Sequence, residues 1–177
     1  MPPSDGVPMI RRTAVLGFAL AALTVVLDRA TKAWALDVLF DPPTRITVAG
    51  VLNLVPVWNR GVSFGLLSNE SVWGPWLLGG FAVAVAVALV VWLLRAESRV
   101  LGAGLGLVIG GAVGNAIDRV LYGAVVDFID AHWGDLHWPA FNIADAAITL
   151  GVGLLLLDAL GIGTGARASE GGRTGDG

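Results

Sequence analysis

From about Trp73 to Leu94 the chain carries no charged side chain. A helix needs roughly 20 mainly apolar residues to cross about 30 Å of hydrocarbon, and this stretch is long enough. Its run FAVAVAVALVVWLL alternates alanine and valine, as a strand does. A strand in lipid without a closed barrel leaves backbone polar groups unpaired, so the length favours a helix. Three other stretches qualify as spans: about Thr13 to Leu36, about Val100 to Ile117 and about Ala140 to Leu160. Composition agrees. Of 177 residues, 55% are hydrophobic and 14% charged, with a mean hydropathy of +0.76. Soluble domains average about 45–50% apolar and about 25% charged residues.

Arginines orient the four predicted spans. Arg11 and Arg12 precede the first, Arg95 and Arg99 separate the second from the third, and Arg167 and Arg173 lie in the tail. Short-loop basic residues mark the cytoplasmic side, which predicts both termini in the cytoplasm. Arg11-Arg12 before an apolar run also resembles a twin-arginine signal, but Asp28, Arg29 and Lys32 stand where a small-residue cleavage site belongs. Residues 1–12 read as a cytoplasmic N-terminal tail, 13–160 as the membrane domain, and 161–177 as a disordered cytoplasmic tail rich in glycine. The insertion at about 37–72 contains RITVAGVLNLVPVWN, a partly alternating β-branched segment expected to form a short extracytoplasmic hairpin or sheet. GVSFGLL follows, with Phe64, Leu66 and Leu67 suited to a short interfacial helix. Trp58, Trp73 and Trp76 suit interfacial anchoring. The fold class expected is therefore all-α membrane protein with a small β element.

With no cysteine, disulfides, thiolate nucleophiles and cysteine metal sites are excluded. The only histidines, His132 and His137, share one predicted loop near the headgroups, too few for a histidine-rich metal cage. The net charge of -3 gives no reason to expect a nucleic-acid partner. No metal or cofactor is expected.

Ionisable groups at the edges of spans are costly unless paired, which makes them functional candidates. Asp28 and Lys32, at i and i+4, share a helix face and suit an ion pair. Asn115, Asp118 and Arg119 form a polar stripe at the outer end of the third span, where Arg119 is placed to hold a carboxylate or a carbonyl and Asp118 to pair with it. Gly102, Gly106, Gly110 and Gly114 bare one face of the same span for close helix approach. In the fourth span Asn142, Asp145 and Thr149 share a face, while Asp127 lies in the apolar setting VVDF outside the third. Two carboxylates meeting in a weakly polar site divide the labour: one keeps a proton and the other stays charged. Such a pair can activate water and polarise a peptide carbonyl without cysteine, serine or metal. Spacing leaves open which acids pair. An ion-translocating protein would need charges near mid-span, and the second, third and fourth spans have none there. A purely structural cluster leaves the convergence of Asn115, Arg119, Asn142 and Asp145 unexplained.

DRATK (Asp28 to Lys32), NRGVSFGLL (Asn59 to Leu67), GGAVGNAIDRVLYGAVVDFID (Gly110 to Asp130) and FNIADAAI (Phe141 to Ile148) stand in the order found in the lipoprotein signal peptidase (signal peptidase II) family. The chain resembles that family from about Arg12 to Leu160. The resemblance implies a four-helix aspartic protease of the bacterial plasma membrane with an outward-facing site; a monomer is expected. Its catalytic aspartates would be Asp127 and Asp145, supported by Asp28, Lys32, Asn59, Gly61, Asn115, Arg119 and Asn142. The region from about Asp41 to Val72 would form the family's small sheet and its mobile interfacial helix. The substrate would be a prolipoprotein with a diacylglyceryl-modified cysteine, cut just before that cysteine, with membrane lipid as the other partner. Arg60 and Ser63 stand where the resemblance leaves variation or a small residue.

Overall fold

The computed structural model describes residues 9–61 and 74–161. The predicted interfacial element with Phe64, Leu66 and Leu67, like Trp73 and the tail beyond Gly161, lies outside them. Four helices and four strands follow in the order α1 Met9–Leu39, β1 Ile46–Ala49, β2 Leu52–Asn59, α2 Gly74–Leu93, α3 Arg99–Tyr122, β3 Val125–Trp133, β4 Leu136–His137 and α4 Ile143–Ala159. Among the described residues, two helices are long and apolar enough to cross a membrane, Arg12–Leu39 and Arg99–Tyr122. At 1.5 Å per residue, α2 and α4 reach about 30 Å and about 26 Å. Both present apolar side chains outward, with Phe81 71% and Leu150 65% exposed.

Helix α3 is the centre of the bundle, and glycine sets its packing. A β-carbon on Gly102 would strike Thr13, one on Gly106 would strike Gly17, and one on Gly110 would lie 2.7 Å from both Ala21 O and Thr24 Cβ. Small residues thus let α1 lie directly on the predicted glycine stripe. A second bare face, not predicted, meets α4. There β-carbons on Gly104 and Gly151 would come within 2.9 Å and 2.7 Å of each other's carbonyl oxygens. The contacts ascend together along α1 and α3 and run oppositely along α3 and α4. Helices α1 and α3 are therefore parallel, and α4 is antiparallel to them. Ser98 caps α3 by accepting from Leu101 N–H, and it also donates to Asp158 near the end of α4. Arg12, Arg95 and Arg99 consequently share one end of the bundle. The apolar core there joins Ala21, Leu93, Ala96, Leu105 and Ile109.

At the opposite end the four strands form one antiparallel sheet in the order β1-β2-β3-β4. Only half of it comes from the insertion after α1. The α3–α4 connection supplies β3 and β4, so the expectation that residues 41–72 alone build the sheet is corrected. Strand β3 pairs along β2, with Asn59 opposite Val125 and Val57 opposite Asp127, and its residues 125–128 are buried on both faces. Ala35 and Leu39 of α1 pack on Phe128 beneath the sheet. Asp127 therefore sits on an inner strand.

The third helix extends five residues beyond its predicted end and closes at Gly123, which has a φ of +69°. The fourth starts later than predicted because Asn142 is its N-cap. His132 and His137 are cross-strand partners of β3 and β4, with rings stacked 4.9 Å apart, rather than loop residues. His137 Nδ1 lies 2.7 Å from Asp130 Oδ1, and that hydrogen bond holds the Asp130 carboxyl below the ordinary range.

Candidate active site

The polar residues of three helices and two strands form one hydrogen-bonded cluster where the sheet meets the bundle. Asn142 lies at its centre, fully buried. As N-cap of α4 it accepts from Asp145 N–H at 3.0 Å, and its own N–H donates to Asp145 Oδ2 at 3.1 Å. This reciprocal capping box fixes the Asp145 side chain against the first turn of its helix. The Asn142 side-chain amide donates to Asp127 Oδ1 at 2.7 Å. One asparagine therefore touches both acids, on elements that are separated in sequence.

Each carboxylate has a second amide donor. Asn59 Nδ2 reaches Asp127 Oδ2 at 2.9 Å, and Asn115 Nδ2 reaches Asp145 Oδ1 at 2.8 Å. The Asn59 amide is oriented by Gly61, whose N–H donates to Asn59 Oδ1 at 3.0 Å. Gly61 has a φ of +102°, a region that residues with a β-carbon rarely enter. Asn115 is oriented by Lys32, whose ammonium donates to Asn115 Oδ1 at 3.0 Å. Lys32 is wholly buried and also contacts Asp28 at 2.9 Å and Asp118 at 2.7 Å. Asp28 accepts from Ala144 N–H at 3.1 Å, which ties α1 to the start of α4. Arg119 is half-buried, donates to Asn115 O at 3.1 Å and lies within electrostatic reach of Asp145, Asp127 and Asp118.

All nine side chains and backbone positions singled out from the sequence thus fall in one network. The predicted Asp28–Lys32 pair is present, but the Asp118–Arg119 pair is not. Asp118 turns instead toward α1, pairing with Lys32 and Arg29, and accepts from Val126 N–H at 3.1 Å. Sequence reasoning missed Arg29 and this role of Asp118, because neighbours within α3 do not reveal a lysine on another helix. Trp58, the predicted anchor, packs edge-on against Phe40 at 4.9 Å and near Tyr122 at 5.7 Å.

Asp127 is 1% exposed, and burial, more than any other influence, pushes its carboxyl up to about 6. The Asn59 and Asn142 hydrogen bonds and the Lys32 charge oppose that rise, while the Asp145 charge adds to it. A carboxyl so placed keeps a proton under conditions in which an exposed aspartate has lost it.

An apolar helix bundle with a carboxylate-centred polar site under a small sheet is the build of a membrane enzyme. Two solved chains share the fold, both described as bacterial membrane enzymes. One has a TM-score of 0.70 at 30% identity, covering 81% of this chain and 92% of the other. The second has a TM-score of 0.69 at 29% identity, covering 87% and 92%. The chain belongs to the signal peptidase (SPase) II family, which matches residues 20–161. It is 52% identical over 149 residues to a lipoprotein signal peptidase of Methylobacterium sp. (strain 4-46), covering 83% of this chain and 90% of the relative. It is 49% identical over 152 residues to the lipoprotein signal peptidase of Caulobacter vibrioides, covering 84% and 89%.

Proposed function

We propose that this protein is an aspartic endopeptidase of the bacterial plasma membrane that removes the signal peptide from diacylglyceryl-modified prolipoproteins, cutting before the lipidated cysteine. One observation carries the assignment of the site: Asp127 and Asp145 are both held by the side chain and backbone of buried Asn142. In this reading Asp127, lifted to about 6 by burial, supplies the proton, and Asp145 acts as the base. Asp145 takes a proton from water, and the water oxygen bonds to the scissile carbonyl carbon. Asp127 passes its proton to the carbonyl oxygen. The tetrahedral intermediate then expels the amine of the cysteine, which takes up the proton held by Asp145 as the C–N bond breaks, while one hydroxyl of the intermediate returns its proton to Asp127 and the new carboxyl group forms. Asn59 and Gly61 hold Asp127, and Asn115 and Lys32 hold Asp145. Arg119 offers a positive charge to the developing oxyanion.

The topology proposed with it has four spans and both termini in the cytoplasm, with a membrane domain over residues 13–160. Its support is the grouping of Arg12, Arg95 and Arg99 at the end opposite the acids. The site then lies at the outer boundary, where acyl chains would hold a lipidated cysteine. A substrate confined to that depth has already lost much of the translational freedom that binding costs. Processing of a lipidated precursor, followed by gel shift, tests the chemistry. Asp127→Asn and Asp145→Asn should each lower cleavage by about 10²–10⁴-fold while the protein still inserts. Full activity in both variants would end the aspartic mechanism.

A further inference from the structure

We infer that Asp118 is a positioning residue for the reaction, setting both the place of Asp127 and the charge behind it. The inference rests on the reading of Asp127 as catalytic, but not on any role assigned to Asp118 itself.

Asp118 is 0% exposed and lies near the C-terminal end of α3, seven residues before β3 starts at Val125. Its Oδ2 accepts from Val126 N–H at 3.1 Å. Val126 is the residue immediately before Asp127, and its backbone is fixed from the opposite direction by the pairing of β3 with β2. The carboxylate therefore anchors the strand one peptide away from the candidate proton donor. A shift there moves Asp127 relative to Asn59 and Asn142, and misplacement by about 1 Å can cost about 100-fold in rate.

The same carboxylate balances charge. Two cations of α1, Arg29 and Lys32, face two anions, Asp28 and Asp118, all joined in one cluster. Beyond it, Asp127 faces Asp145 of α4, Arg119 of α3 and the amide of Asn59 on β2. Lys32 is the group that links the two layers, because it touches Asp118 and Asn115 and its charge favours the ionised form of Asp127. Removing Asp118 leaves an excess positive charge behind Asp127, whereas removing Arg29 leaves an excess negative one. The two changes must act on the Asp127 proton with opposite sign.

The test is the pH profile of kcat/KM on a diacylglyceryl-modified precursor peptide, measured for Asp118→Asn and Arg29→Gln in detergent. Asp118→Asn should lower kcat about 10–100-fold with KM little changed, and move the alkaline limb to lower pH by a few tenths to about one unit. Arg29→Gln, on a side chain that is 26% exposed, should move the same limb to higher pH. General loosening of the fold lowers activity without producing opposite shifts. Limbs that stay in place in both folded variants, or shifts of the same sign, overturn the inference. If Asp118→Asn does not fold, an unmoved limb in Arg29→Gln overturns it alone. Full activity of Asp127→Asn would instead reject the aspartic reading, so the two failures are told apart.

Discussion

A single side-chain amide decides how the two acids meet. Asn142 caps α4 with its carbonyl oxygen and holds Asp127 with its nitrogen, so neither the helix start nor the strand can move without the other. Asparagine suits this position because it offers a donor and an acceptor on one short, uncharged group. Aspartate there would place a third negative charge between the two acids. The raised proton affinity of Asp127 has a consequence for stability. Between the ordinary aspartate value and about 6, the folded chain binds a proton that the unfolded chain has released. Its contribution to stability therefore declines as pH rises through that window. Melting in detergent between about pH 4 and pH 7 should show this decline, and Asp127→Asn should flatten it. Equal slopes in the two proteins would show that burial does not shift this carboxyl. The residue types of the site were legible in the sequence because ionisable groups stand out in apolar surroundings. Asp118 was misread because its partner, Lys32, lies on a different helix.

At the scale of elements, glycine on α3 decides how closely the helices approach. One face receives α1 and the other α4, which brings Asn115 within hydrogen-bond reach of both Lys32 and Asn142. Gly110→Val should lower the melting temperature by several degrees, since its side chain would meet the α1 backbone and overpacking costs about 1–3 kcal/mol. Gly153→Val is the control, because a β-carbon there meets nothing within 4 Å. An equal effect of both substitutions would locate the cost in helix propensity rather than contact. The period-four stripe was visible in the sequence, since four residues nearly complete a helical turn. The second face, through Gly104 and Gly111, follows seven-residue spacing and becomes evident only once α4 lies against it. The sheet shows the same limit: β1 and β2 were readable as a hairpin from local alternation, whereas their partner β3 lies more than sixty residues further on.

For the whole molecule, Arg12, Arg95 and Arg99 lie at one end of the bundle and the candidate catalytic acids Asp127 and Asp145 at the other. A reporter fused after Gly165 should appear on the cytoplasmic side of the membrane, as the proposed topology requires. An extracytoplasmic signal would overturn the four-span count. The sequence by itself determined the solvent, the helical character of the apolar stretches and the side chains available for chemistry, because each depends on composition and spacing within one segment. Only the tertiary structure decided that Asp127 rides on an inner strand, that Asn142 joins it to Asp145, and that Asp118 faces α1 rather than Arg119. The contacts of Asn142 with Asp127 and of Asp118 with Arg29 link positions 15 and 89 residues apart, and which of many possible long-range pairs forms is settled by how the helices and sheet pack together.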